Sequence, residues 1–407
     1  MTNAAPSNPR VAIACGGTGG HLFPGMAVGR QLAARGCSVQ LLVSPKDVDR
    51  QAVQNLTGME VVTLPAVGLV KGGLAAFAAG FWRSYRMAQG SFNARRPQAA
   101  LAMGGFTSAA PILAARRLGA HTFLHESNTI PGRANRWLSW IVDQAFVGFP
   151  VAVDQLHGKN VLVTGTPVRT EFVPRDPEGC RKALGLNPER PVVVVLGGSQ
   201  GATGINKLII GCLPHLVNNA PHWQWYHLTG VADLQQVQAA YAAHHFKAVV
   251  APFSSQMELV LGAATAAVSR AGASSLAELA AMRIPAALIP YPAAADDHQV
   301  HNARAFAQSG AARFLTQGTA SPESLLPLLR EMVEDTGGRE RMRASLGQWH
   351  RPQAAEDIAG AILRALGLEA QAQIQAGGQN SELSALSSEQ SPPRPTESES
   401  HGRLRFA

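Results

Sequence analysis

Cysteine is scarce: Cys15, Cys37, Cys180 and Cys212 are all there is in 407 residues, and no two form a CxxC pair. That removes both the spacing of a zinc knuckle and the density of a disulfide scaffold, and leaves four reduced structural thiols. Long apolar runs are missing too. None approaches the about 18 residues that a membrane span requires. Met1 to Arg10 is polar and contains proline, without the apolar centre of a signal peptide, so the expected location is the cytosol. No GxxxxGK[ST] loop is present, which argues against an ATPase. Charged residues make up only 15% against 46% hydrophobic, as in a soluble globular protein, and 407 residues hold two or three domains. The formal charge is +8. With no RNA- or DNA-binding signature, it reads as ordinary solvated surface, or as attraction to an anionic membrane or substrate; nucleic acid is not an expected partner.

What the chain does have is alternation. Short Val/Ile/Leu/Ala runs recur between helix-like stretches, which predicts buried parallel strands in an α/β fold. The expected strands of the first half are 11–15, 39–43, 61–64, 99–103, 122–124 and 145–147. Those of the second are 192–196, 225–228, 248–251, 266–268 and 286–289. The first strand runs into Gly16-Gly17-Thr18-Gly19-Gly20-His21, then a helix-like stretch from Met26 to Ala34. At Pro191 the pattern restarts, with Val192 to Leu196 running into Gly197-Gly198-Ser199-Gln200-Gly201. Two Rossmann-like domains are therefore expected, joined near Gly165-Thr166-Pro167-Val168-Arg169, with a deep cleft at the carboxyl ends of their strands. The expected boundaries are a flexible N-terminus 1–9, a first domain 10–168, a second domain 169–351, a helix 352–366 returning to the first domain, and a disordered Ser/Gln/Glu/Pro-rich tail 367–407.

The first glycine loop is not a dinucleotide fingerprint. GxGxxG read from Gly17 needs glycine at 22, where Leu22 stands, and strand 39–43 ends in Ser44-Pro45 with no acid for a ribose. A helix start behind glycines still suits a phosphate or a developing anion, and His21 adds an imidazole at its rim. Gly104, Gly105, Thr107 and Ser108 form a second glycine loop, either a tight turn or a further patch of donors on the acceptor side. His125-Glu126-Ser127-Asn128 lies at a strand's carboxyl end, where Asn128 can orient a sugar hydroxyl or acetamido group, or cap a turn. In Ser269 to Glu278, amides and hydroxyls can hold a diphosphate, and Glu278 either caps the helix or takes two ribose hydroxyls. Asp296-Asp297-His298-Gln299 has no familiar metal-ligand spacing, and contacts to a sugar are the better reading. Leu74, Phe77, Phe81, Trp82 and Tyr85 fall on helical spacing beside Lys71, Arg83 and Arg86. They either pack on the core or face anionic lipid from a helix lying on the membrane.

In order and in register, Gly16–His21 with Phe23-Pro24-Gly25, His125–Asn128, Gly165–Arg169, Gly197–Ala202, Arg270–Glu278 and Asp297–Asn302 resemble the MurG family of peptidoglycan synthesis, over residues 10 to 366. The resemblance implies a GT-B fold and transfer of N-acetylglucosamine (GlcNAc) from UDP-GlcNAc to undecaprenyl-diphospho-N-acetylmuramoyl-pentapeptide, with no cofactor or metal required. It also implies a peripheral enzyme on the cytoplasmic face of the bacterial inner membrane, in contact with anionic lipid and with the cell-wall and division machinery. Residue by residue, it puts Thr18, Gly19, Gly20 and His21 toward donor and acceptor, and Asn128 and Gln299 on the donor sugar. Arg169 and Ser199 fall near the diphosphate, and the backbone of Ser254 on uracil. Ala273, Ser274, Ser275, Leu276, Ala277 and Glu278 form the diphosphate and ribose loop. Residues 71–86 correspond to the membrane patch. The chain departs from the family at Ser127, where Gln is common, and at Ser254, where an aliphatic residue is. Inversion at the sugar needs one general base. A near-neutral imidazole suits it, which favours His21 over Glu126 and Asp297. Alternatives are a related GT-B glycolipid glycosyltransferase, a UDP-GlcNAc 2-epimerase, or a non-catalytic nucleotide-sugar-binding scaffold.

Overall fold

The computed structural model describes residues 8–368 except 18, 47–48, 51–52, 54–55, 66–72, 159 and 199–200. Its frame is two parallel sheets. The first contains β1 (Arg10–Ala14), β2 (Ser38–Val43), β3 (Glu60–Thr63), β4 (Ala99–Ala102), β5 (His121–Glu126), β6 (Gln144–Val147) and β7 (Val161–Val163), in the order β3-β2-β1-β4-β5-β6-β7. The second contains β8 (Val192–Leu196), β9 (Gln224–Leu228), β10 (Ala248–Ala251), β11 (Ala266–Ser269), β12 (Ala286–Leu288) and β13 (Arg313–Phe314), in the order β10-β9-β8-β11-β12-β13. Both sheets belong to one compact unit ending at Ile362.

The strands form where apolar residues are consecutive. β1 and β8 are buried along their whole length, as strands covered by helices on both faces must be. Each is an interior strand, third in its sheet. Val11 pairs with both Val39 and Ala99, and Val193 with both Trp225 and Ala266. The chain leaves β1 toward β2 on one side and enters β4 on the other, and the same holds for β8, β9 and β11. The two glycine loops thus emerge at the switch points of their sheets, where ligands bind in this architecture.

The two Rossmann-like halves read from the sequence are present, with local differences. β7 and β13 were not expected: they are edge strands of three and two residues, and none of these residues is fully buried. The first helix spans Gly19–Ala34 and starts well before Met26, so Gly19, Gly20 and His21 form its first turn. Pro24 lies inside it and offers no N–H to the Gly20 carbonyl. Helix Leu74–Ala94 packs inward through Gly80, Ser84, Ala88 and Phe92, at four-residue spacing. Of its aromatics only Phe92 lies on that face: Trp82 is 58% exposed and stacks on Tyr85 at 5.6 Å, Tyr85 packs against the edge of the core, and Phe77 and Phe81 are half-buried. Lys71 lies outside the described residues. At the join, Gly165 has φ +84° and a Cβ there would stand 2.5 Å from the side chain of Arg351. Glu356, on helix Ala354–Ala365, pairs with Arg35 at 2.7 Å.

Candidate active site

The first glycine loop is built around a carboxylate of its own chain. Gly17 has φ +114°, and its N–H donates to Asp49 Oδ2 at 2.8 Å. The same oxygen accepts from the Ser44 amide at 3.0 Å and hydroxyl at 2.6 Å. Asp49 is fully buried, so the Gly17 amide of this loop is already taken by a side chain of its own chain. Lys46 donates to the Gly17 carbonyl at 2.8 Å and lies over the Phe106 ring. The sequence reading missed both residues, because it sought an acid at the end of β2 only as a ribose ligand.

The second glycine loop is the seat of His21. A Cβ on Gly104 would stand 3.0 Å from His21 Nε2, and one on Gly105 3.1 Å from its Cε1. Both glycines have positive φ, +106° and +76°, so the imidazole rests on backbone that only glycine supplies. Thr107 and Ser108 are buried, and their hydroxyls turn inward. Thr107 donates to the Gly16 carbonyl at 2.5 Å and Ser108 to the Gly104 carbonyl at 2.5 Å. Thr107 fastens the two loops together, Ser108 closes its own, and neither hydroxyl faces a ligand. Burial, then the positive fields of His298 and Lys46, lower the His21 pKa to about 4, with Asp49 acting in the other direction. His21 is therefore neutral at pH 7.

At the end of β5, His125 is buried, binds the Gly165 carbonyl through Nε2 at 2.9 Å, and is held neutral by burial at a pKa of about 4. Glu126 is buried with both oxygens engaged. Oε1 accepts from Asn128 N at 2.8 Å and Asn128 Nδ2 at 3.0 Å. Oε2 accepts from Gly132 N and Asn135 Nδ2, both at 2.9 Å. Asn128 in turn accepts from Asn302 Nδ2 at 3.0 Å. Asp297 is exposed at the start of helix His298–Gln308, while Asp296 pairs with Arg133 and Arg136.

On the facing half, helix Ala273–Met282 opens after Gly272 with no side-chain cap, leaving the first-turn amides of Ala273, Ser274 and Ser275 available to an anion. Leu276 is buried and Ala277 half-buried, so these two offer a ligand only backbone, while Ser274 and Ser275 are half-buried beside them. Glu278 is half-buried, and burial raises its pKa to about 7 against the opposing pull of Arg169. The Arg169 guanidinium lies between Phe23 at 4.8 Å and Phe172 at 4.7 Å. Helix Gly19–Ala34 packs against helix Ala273–Met282, which brings the His21 and Glu278 elements to one site. Arg270 supports it from behind, donating to the carbonyls of Ile289 at 2.9 Å and Pro290 at 3.0 Å. Gln299 Oε1 accepts from the amides of Ala271 at 3.3 Å and Tyr291 at 3.0 Å. Ser254 accepts the Gln256 amide at 3.2 Å, beside the exposed Phe253. Thr18 and Ser199 lie outside the described residues. Among the described residues no group of three or more His, Cys, Asp or Glu is arranged to hold a metal.

Below the glycine loop that follows β8, His227 Nε2 meets Asn206 Oδ1 at 2.9 Å, and Asn206 donates to the Thr229 carbonyl at 3.0 Å and to Asp233 at 2.7 Å. A Cβ on Gly201 would stand 2.2 Å from that Thr229 carbonyl oxygen. This buried network, also missed in the sequence, fixes the helix that follows the loop.

Two Rossmann-like halves with ligand loops at facing switch points define a nucleotide-sugar enzyme of the GT-B type. Solved structures share the architecture. Acinetobacter baumannii MurG matches with TM-score 0.69 at 25% identity, over 88% of this chain and 99% of that one. A UDP-glucosyltransferase from Polygonum tinctorium (TM-score 0.65, 16% identity, 89% and 99% covered) and a Listeria monocytogenes protein named as a putative UDP-N-acetylglucosamine 2-epimerase (0.64, 12%, 88% and 96%) share the fold alone. The glycosyltransferase family 28 N-terminal domain matches residues 11–147, and the family 28 C-terminal domain matches 192–358. The chain belongs to this family, in its MurG branch. It is 34% identical over 355 residues to a protein of Anaeromyxobacter sp. strain Fw109-5, covering 86% of this chain and 92% of that one. It is 35% identical over 378 residues to one of Nitratidesulfovibrio vulgaris strain Hildenborough, covering 88% and 98%. Both relatives are named UDP-N-acetylglucosamine–N-acetylmuramyl-(pentapeptide) pyrophosphoryl-undecaprenol N-acetylglucosamine transferase.

Proposed function

We propose that the chain transfers GlcNAc from UDP-GlcNAc to the C4 hydroxyl of N-acetylmuramic acid in undecaprenyl-diphospho-MurNAc-pentapeptide (lipid I), giving lipid II in peptidoglycan synthesis. The observation that carries this is likeness across both halves to relatives bearing that one name. The test is incubation with labelled UDP-GlcNAc and lipid I, read for the lipid-linked disaccharide; a free epimer as product would favour the epimerase whose fold the chain shares.

In the proposed mechanism the C4 oxygen attacks C1 of GlcNAc in line. The bond from C1 to the phosphate oxygen breaks, UDP leaves with the electron pair, and the hydroxyl proton goes to His21. A neutral imidazole seated on Gly104 and Gly105 supports that role. The first-turn amides of helix Ala273–Met282, with Ser199 and Arg169, stabilise the departing diphosphate. Asn128 and Gln299 orient the sugar, and the Ser254 backbone meets uracil. Glu126, with its oxygens engaged, holds the loop that presents Asn128. The first half serves the acceptor and the membrane, and the second binds the donor.

Glu278 takes the ribose hydroxyls on this reading, which requires its ionised form. Its free carboxyl titrates near 7, so raising the pH ionises it and tightens donor binding. If the bound carboxylate returns to an ordinary pKa, UDP-GlcNAc binds about tenfold more weakly at pH 6 than at pH 8. Titration calorimetry on Glu278→Gln removes that slope; an unchanged slope assigns the titration elsewhere.

We also propose that helix Leu74–Ala94 rests on anionic lipid at the cytoplasmic face of the inner membrane, near the division machinery. Support comes from the exposed Trp82, Arg83 and Arg86 and from Arg116 and Arg117 on the neighbouring helix Ala109–Arg117. No described helix is long and apolar enough to cross a membrane. Arg83→Glu with Arg86→Glu weakens sedimentation with anionic vesicles by about tenfold or more, and added salt does the same to the parent. Binding indifferent to both counts against this surface.

A further inference from the structure

Asn302 was expected only as the end of a sugar-binding motif. Its carboxamide is instead fully buried and saturated. Oδ1 accepts from the amide and the hydroxyl of Thr129, both at 2.9 Å. Nδ2 donates to Asn128 Oδ1 at 3.0 Å and to the Ala271 carbonyl at 3.2 Å. A side-chain amide has two N–H donors and one oxygen with two lone pairs, and all four are used. The partners also fix its orientation: the flipped amide would set its oxygen against two oxygens and its NH2 against two donors.

The partners come from both halves. Thr129 and Asn128 follow β5 of the first sheet, while Ala271 precedes the uncapped helix Ala273–Met282. Gln299, one turn before Asn302 on helix His298–Gln308, takes the Ala271 amide, so the backbone of this residue is gripped at both its N–H and its C=O. Hydrogen bonds therefore run without a break from Asn135 and Gly132 through Glu126, Asn128 and Asn302 to the loop proposed to hold the diphosphate. Asp296 adds ion pairs to Arg133 at 3.4 Å and Arg136 at 3.0 Å across the same boundary.

We infer that Asn302 is a positioning residue that clasps the two halves, so that the nucleotide loop and Asn128 move as one. This rests on the reading above in giving Asn128 to the donor sugar, but the clasp itself is a contact within the protein. Because Asn302 is buried only while both sets of partners stay in place, opening leaves its polar groups and theirs to find water, and the closed arrangement is favoured before any substrate binds.

The test uses the full chain. Its four cysteines are buried, so cysteines introduced at the exposed Arg95 and Gln236 take spin labels, one on each half. Asn302→Asp keeps the shape but cannot donate to Asn128 or Ala271; Thr129→Val removes one donor and keeps the backbone one. The parent gives a single narrow label distance without substrate. Asn302→Asp lengthens and broadens it and weakens UDP-GlcNAc binding about tenfold; Thr129→Val does both to a smaller degree. An unchanged distance overturns the clasp even if donor affinity falls, since Asn302 would then act on the ligand alone. If Asn302→Asp does not fold, Thr129→Val is judged by the same two readouts. Failure of the parent to make the disaccharide overturns the proposed reaction and leaves the distance result intact.

Discussion

His21→Ala lowers kcat by about 10²- to 10⁴-fold on lipid I or a soluble analogue, the usual worth of a general base. The loss falls on turnover, because the proposed phosphate and ribose contacts lie on the facing half. Thermal stability changes little, since the half-buried ring rests on two glycines and removing it opens no sealed cavity. The pH profile supplies the second reading. Burial and the charges of His298 and Lys46 hold the imidazole near pKa 4 in the free protein. In Glu278→Gln, which removes the titration near 7, the acid limb of kcat/KM, which reports the free enzyme, therefore falls well below the ordinary histidine range. The limb of kcat moves upward, because bound diphosphates favour the imidazolium. Near-parental turnover in His21→Ala excludes it as the base and directs attention to Asp297, the exposed carboxylate at the rim.

Glu126 is expected to fail differently. Its oxygens accept four N–H bonds from Asn128, Gly132 and Asn135 in a buried setting. Glu126→Ala leaves those donors unmatched and costs about 3–5 kcal/mol of stability, measured by urea unfolding. Glu126→Gln also destabilises, because one oxygen becomes an NH2 facing two donors. A catalytic base behaves in the opposite way: its amide variant folds normally and loses only turnover. Glu126→Gln with parental stability and abolished kcat would restore Glu126 as a rival to His21.

The frame was legible because its central strands are buried on both faces. Val192–Leu196 can hardly be anything else, and the glycines after β1 and β8 mark the switch points. Edge strands β7 and β13 carry no such run. The early start of helix Gly19–Ala34 was hidden by Gly19, Gly20 and Pro24, each a poor helix former alone. At the site, residue types were legible and directions were not. Thr107 and Ser108 are hydroxyls in a glycine loop, yet both turn inward, and Glu126 is a carboxylate beside the proposed sugar contact Asn128, yet backbone and side-chain amides of its own loop occupy both its oxygens. Asp49 and Asn302 show the remaining limit. A buried polar side chain that joins segments distant in sequence leaves no periodicity to read, and only the folded chain brings Asn302 to Thr129.

The most direct test of the central claim is single-turnover transfer with anomerically defined, labelled UDP-GlcNAc and lipid I, followed by NMR of the glycosidic linkage formed. The account predicts a β-1,4-linked lipid-bound disaccharide in the parent, from an α-linked donor, with His21→Ala slowed by at least about 10²-fold. Retention of the α configuration, release of a free epimer, or full-speed transfer by His21→Ala would contradict it.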